Sequence, residues 1–116
     1  MQVEIFCSVD GIECRNLSPP INPEDCIFNA IYSFRVTNIG TTDMTLSMAE
    51  ITVNDDDPVS VLGSFPVTEV APGDEIFGIQ QLPINLCDTD EQTTTLNIIA
   101  NTDIGNECNG MDVYVL

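Results

Sequence analysis

The side chains on which this sequence could build chemistry are nineteen carboxylates and five cysteines, set against two arginines, no lysine and no histidine. The densest acidic run is "NDDDP", in which Asp55, Asp56 and Asp57 precede Pro58; a second, "CDTDE", carries Asp88 and Asp90. Calcium takes several oxygen ligands, and crowded carboxylates supply them while the ion relieves their mutual repulsion. The spacing is not that of an EF-hand loop. In an extended segment alternate residues share one side, so Asp55 and Asp57 converge while Asp56 points away, and Asp88 or Asp90 would complete the set. The competing reading of the same run is a polar turn whose charges face water. Calcium is the one cofactor suggested, with these four aspartates as candidate ligands; magnesium fits less well because it demands stricter geometry.

Catalysis has little to work with. Without histidine, a general base at neutral pH would be a carboxylate or a thiolate with a displaced pKa, and no nucleophile elbow, phosphate-binding loop or Cys/His pair occurs. Two carboxylates can hydrolyse a glycoside, but among nineteen of them a pair within reach carries little information. No enzyme is expected. Cys7, Cys14, Cys26, Cys87 and Cys108 contain no CxxC spacing, and with no histidine available a zinc site is disfavoured. Disulfides in an oxidising compartment are the expectation, against the alternative of buried thiols acting as small hydrophobes. Asn16 opens the only weak modification signal, the glycosylation pattern "NLS".

A formal charge of -17 excludes nucleic acid and anionic membrane surfaces as partners, because the long-range field has their sign and no basic patch offsets it. Divalent cations, or neighbouring domains and surface or matrix components, remain. The acidity does not imply disorder, since 43% of the residues are apolar and fall in runs between turn residues. No apolar run approaches the length of a membrane-spanning helix.

The elements that must position these groups are strands. "FNAIYSFRV" (28–36) places Phe28, Ala30, Tyr32, Phe34 and Val36 on one parity, the period of a half-buried strand. "MTLSMAEITV" (44–53) changes apolar parity, which predicts a bulge near Ala49 or Glu50. One or two short strands are expected in 59–70. "EIFGIQQLPI" (75–84), with Gly78 and Pro83, reads as a strand near an edge or with a distortion. "TTTLNIIA" (93–100) and "MDVYVL" (111–116) close the chain, the latter after an Asn-Gly pair at 109 and 110, and "VEIFCSV" opens it. No segment holds an apolar stripe at helical period. A single domain over 1–116 is expected, an all-β, two-sheet immunoglobulin-like antiparallel sandwich of seven or eight strands.

"YSFRVTNIGTTDMTLSMAEITVND", then "VAPGDE" and "NIIANT", resembles the immunoglobulin-like repeat of microbial and algal surface proteins, across about residues 28–103. Where such repeats carry an extended strand after the last element, "NIIANTDIGNEC" reads as a cysteine-bearing loop. The resemblance implies an extracellular or cell-surface structural or adhesion module, one unit of a larger or tandem array, without a catalytic site. The alternative is a calcium-dependent binding module or an acidic matrix- or mineral-associated protein. An exposed edge strand taking a ligand by β-augmentation is a further reading.

Strands that alternate in direction bring distant loops together. In the ordinary immunoglobulin-like order, "PEDC" (23–26), "NDDDP" and "NLCDTDE" (85–91) meet at one pole with Glu24, Asp25, Asp55, Asp56, Asp57, Asp88, Asp90 and Glu91, while Asp43, Asp74, Asp103 and Glu107 are spread more thinly at the other. On that placement Cys26 pairs with Cys87 and Cys7 with Cys108. Cys14 competes for Cys26 if 10–25 is a flexible connection, and one thiol stays unpaired.

Overall fold

A computed structural model describes residues 1–17, 26–85, 87 and 92–116. Among the described residues nine strands, β1 (Gln2–Val9), β2 (Ile12–Glu13), β3 (Ile27–Thr37), β4 (Met44–Val53), β5 (Val59–Ser60), β6 (Glu69–Val70), β7 (Glu75–Asn85), β8 (Thr93–Thr102) and β9 (Glu107–Val115), form two antiparallel sheets. One has the order β2-β1-β3-β7, the other β5-β4-β8-β9, with β6 pairing β4 beside them. No α-helix occurs among the described residues. The additional strands beyond the expected seven or eight are two-residue pairings, and the layout of the long ones is the immunoglobulin-like order expected from the turn spacing.

The sandwich closes on the parity that the sequence displays. Ala30, Tyr32, Phe34 and Val36 of β3 are buried and face Leu46, Ala49, Ile51, Leu96, Ile98 and Ala100 of the other sheet in one continuous core. A fully buried side chain of this size contributes roughly 1.5–3 kcal/mol, so these alternating positions dominate the driving force. The register of β4 slips between Leu46 and Met48, not at Ala49 or Glu50 as the parity suggested. Ser47 is the extra residue, and its hydroxyl donates to the Ile99 carbonyl at 3.2 Å. A short polar side chain absorbs the bulge more readily than Ala49, whose fully buried site admits no displacement.

Two further local readings are corrected. Residues 10–25 do not all behave as a loose connection: Asp10 and Gly11 have φ of 51° and 81° and join Val9 to Ile12, which pair directly. Positive φ at both central residues is the demand of a tight hairpin turn, met by Asp-Gly. Asn109 and Gly110 are not a turn. They lie inside β9, opposite Ile99 and Ile98, and a Cβ at Gly110 would collide with the Val3 side chain of β1. Glycine is needed there because the edge of one sheet approaches the other. Asp112 seals that seam, its carboxylate accepting from the Ile5 amide at 3.0 Å.

Candidate functional site

The chain enters β1 at one pole and leaves β9 at the other, because Gln2 pairs with Thr37 at the end of β3 and Val115 pairs with Thr93 at the start of β8. The β9 pole carries the "NDDDP" turn. Asn54, at φ 52°, anchors it: its amide donates to the Thr93 carbonyl at 2.7 Å and its side-chain oxygen accepts from the Thr93 amide at 2.9 Å. Asp55, Asp56 and Asp57 project into solvent. Asp88 and Asp90, with Glu24, Asp25 and Glu91, lie outside the described residues, and among the described residues no three acidic or thiol side chains are grouped for a metal. Asn16 is exposed after a short 3₁₀ turn over Cys14–Asn16, and the Ser18 of its pattern is outside the described residues.

At the β1 pole, where a thin spread was expected, carboxylates come together. A cleft of about 400 Å³ is lined by Asp43, Glu69, Asp74 and Asp103 around Met44 and Val70. Sequence placement missed Glu69, since only the pairing of β6 with β4, Thr45 opposite Glu69, carries it there. The cleft is built on Asn38, a buried polar residue at the end of β3. Its side-chain nitrogen donates to the carbonyls of Thr42 at 2.8 Å and Val70 at 2.9 Å, and its oxygen accepts from the Gly40 amide at 3.0 Å. Its backbone bonds to Gly73 and Asp74. One residue thus pins its own β3–β4 loop to the β6–β7 segment, and a two-oxygen carboxylate could not make both donations. Four carboxylates with no cationic side chain lining the cleft suit a positively charged group.

Both arginines are already engaged. Arg35 bonds Glu4 at 2.5 Å and lies 3.9 Å from Glu75, and its hydrogen bond to Glu4 holds its pKa above the usual value. Arg15 stacks over the Tyr114 ring at 4.1 Å and donates to the Val115 carbonyl at 3.1 Å. The Tyr114 hydroxyl donates to the Glu13 carboxylate, and its ring meets Tyr32 edge-on at 6.0 Å. Burial first, then the Glu13 carboxylate, pushes the Tyr114 phenol up. Burial also raises Tyr32, and the neighbouring Thr94 hydroxyl offsets part of that shift.

This cluster depends on the disulfides. Cys26 joins Cys87, Cα atoms 5.4 Å apart, tying the start of β3 to the segment after β7. Cys7 does not join Cys108. It joins Cys14, also with Cα atoms 5.4 Å apart, because the Asp10-Gly11 hairpin folds the chain back one residue beyond the Ser8–Glu13 pair. That also removes Cys14 as a competitor for Cys26. Cys108 is a free thiol on β9, opposite Ala100. The stapled hairpin holds Glu13 and Arg15 against Tyr114.

No family model matches the chain, and no curated protein matches it. Among solved structures, a structural-genomics target is similar with a TM-score of 0.67 at 16% identity, covering 98% of this chain and 83% of that one. The putative ApaA protein from Bordetella pertussis is similar with a TM-score of 0.68 at 17% identity, covering 98% of this chain and 89% of that one. At such identity the likeness is one of fold.

Proposed function

We propose that this chain is an extracellular structural or adhesion module, one unit of a larger or tandem-repeat surface protein of the immunoglobulin-like kind. The observation that supports it is the placement of β1 and β9 at opposite poles of a body 55 Å long and 19 Å across its narrowest axis. Tension along the chain loads the terminal strands in shear across whole ladders, the arrangement suited to a spacer. Two disulfides limit extension and favour an oxidising compartment. No helix among the described residues is long and apolar enough to cross a membrane.

Single-molecule stretching between handles at the two termini tests this reading. The oxidised chain should unfold in one cooperative step and extend less than the reduced chain, because the Cys26–Cys87 loop of 61 residues stays closed, a difference of roughly 20 nm at full extension. Unfolding at forces no larger than those of a random coil, or five reactive thiols in the exported native protein, would defeat it. A second reading, a module that binds a neighbour through its acidic surface, is favoured by the cleft of Asp43, Glu69, Asp74 and Asp103. In that case the ligand is a basic side chain of a neighbour, and Asp74→Lys abolishes its binding while leaving the melting temperature unchanged.

A further inference from the structure

β7 is the free edge of the four-stranded sheet, and over residues 76–82 it lacks the usual protections of one. The β3–β7 register runs unbroken from Thr37 opposite Glu75 to Ile27 opposite Asn85. Just beyond it the Asn38 amide donates to the Asp74 carbonyl at 3.0 Å. In an antiparallel ladder every second pair exchanges its hydrogen bonds, so the even-numbered residues of β7 bond to β3. The odd-numbered ones, Glu75, Phe77, Ile79, Gln81 and Pro83, turn their backbone groups outward. Pro83 falls in the outward set, where its missing N–H breaks no bond to β3. Among the described residues no other backbone group bonds to that edge.

Natural edges are blunted by charges, proline, bulges or a covering segment, and of these β7 has only Pro83, toward its far end. Residues 76–85 carry no charged side chain in a chain of net charge -17, and no bulge interrupts the register. The segment after β5 packs beneath the strand: the Phe65 ring lies against Gly78 on the inner face, leaving the in-plane edge open. On the outer face Phe77 and Ile79 are 50% and 62% exposed, with Phe6 and Ile31 beside them.

We propose that this edge pairs with the same edge of a second copy, β7 against β7, antiparallel about a two-fold axis through Gly78. Phe77 then lies opposite Ile79 of the second copy, forming an apolar cross-strand pair on each side of the axis. Glu75 lies opposite the other Gln81. Pro83 falls outside the paired segment, and about eight ladder bonds form over residues 75–81. Self-complementarity selects this occupant, and the lack of charge along residues 76–85 selects this edge. The two Glu75 side chains end up roughly 20 Å apart, beyond the screening length of about 8 Å in physiological salt, and each lies 3.9 Å from its own Arg35, a charge it shares with Glu4. The other exposed strands oppose a second copy with carboxylates: β5 follows Asp55, Asp56 and Asp57, and β9 carries Glu107 and Asp112. This pairing goes beyond the module reading and stands independently of it.

Sedimentation equilibrium and light scattering on the intact oxidised chain, in high salt to screen the net charge, test it. Wild type should double its 12.6 kDa monomer mass with rising concentration. Ile79→Lys, which sets a charge against Phe77 of the second copy with the second lysine diagonal to it, and Ile79→Pro, which removes an outward N–H, should each remain monomeric with an unchanged β-type circular dichroism spectrum. Met111→Lys, on the exposed face of the other sheet, should dimerise like wild type. If Ile79→Pro loses its fold, Ile79→Lys alone decides. A wild type that stays monomeric at millimolar concentration overturns the proposal, as does a dimer that both Ile79 variants preserve or a β7 edge that captures another protein but not itself.

Discussion

Removing the side chain of Asn38 should unfasten the acidic pole. The residue is 3% exposed and makes three side-chain hydrogen bonds, to the Thr42 and Val70 carbonyls and from the Gly40 amide. Each contributes about 1 kcal/mol net, and a buried carbonyl left without a donor costs about 1–3 kcal/mol. The Val70 bond is the buried one, whereas water can replace the other two. Asn38→Ala should therefore cost about 3 kcal/mol, which at about 4 °C per kcal/mol for a domain of this size lowers Tm by about 12 °C. Asn38→Asp is the sharper probe. It keeps the acceptor for Gly40 but sets a carboxylate oxygen against two carbonyl oxygens, so at neutral pH it should be less stable than Asn38→Ala. Burial against two carbonyl oxygens raises the carboxyl's folded pKa above its unfolded value of about 4. Stability is then retained below the unfolded pKa and lost as pH rises through the folded one, so the deficit relative to wild type should shrink on acidification. Calorimetric melts of the three proteins between acid and neutral pH check this. An Asn38→Ala variant that melts within about 2 °C of wild type, or an Asn38→Asp variant as stable as Asn38→Ala at neutral pH, would refute the view that this amide holds the loops.

Alkylation of the unreduced native chain followed by peptide mapping should find Cys7 joined to Cys14, Cys26 joined to Cys87, and one modified thiol at Cys108; any Cys7–Cys108 peptide contradicts the hairpin. Tyr32 and Tyr114 are the only phenols, and both pKa values are raised. An ultraviolet titration should therefore show no phenolate near pH 10, and stability should be intact below that pH and fall as pH rises through the folded pKa values. A tyrosine titrating reversibly at its ordinary pKa in the folded protein would count against the Tyr114–Glu13 contact. Gly110→Ala drives a methyl into Val3 and should cost about 1–3 kcal/mol by urea unfolding, with Val3→Ala in the same chain recovering part of that loss; purely additive losses would deny the close approach.

The strand content was legible because a half-buried strand writes itself at period two, as residues 30 to 36 do. The same alternation determined that two sheets face each other, and the charge of the chain followed from composition alone. The Asp10-Gly11 signal was also present in the sequence; reading 10–25 as a loose connection hid it, and with it the partner of Cys7. Other features had no local signature. Gly110 looks like half of an Asn-Gly turn until β1 is found against it, and Glu69 joins Asp43, Asp74 and Asp103 only because a two-residue strand pairs with β4. Asn38 reads as an ordinary turn residue, yet its buried partner, Val70 on β6, is thirty-two residues away. Periodicity records which face of one strand avoids water, and this the sequence determines by itself. Which edge stays open, which cysteines meet and which carboxylates share a cleft depend on how separate strands are placed against one another, a relation between distant segments that only the tertiary structure decides.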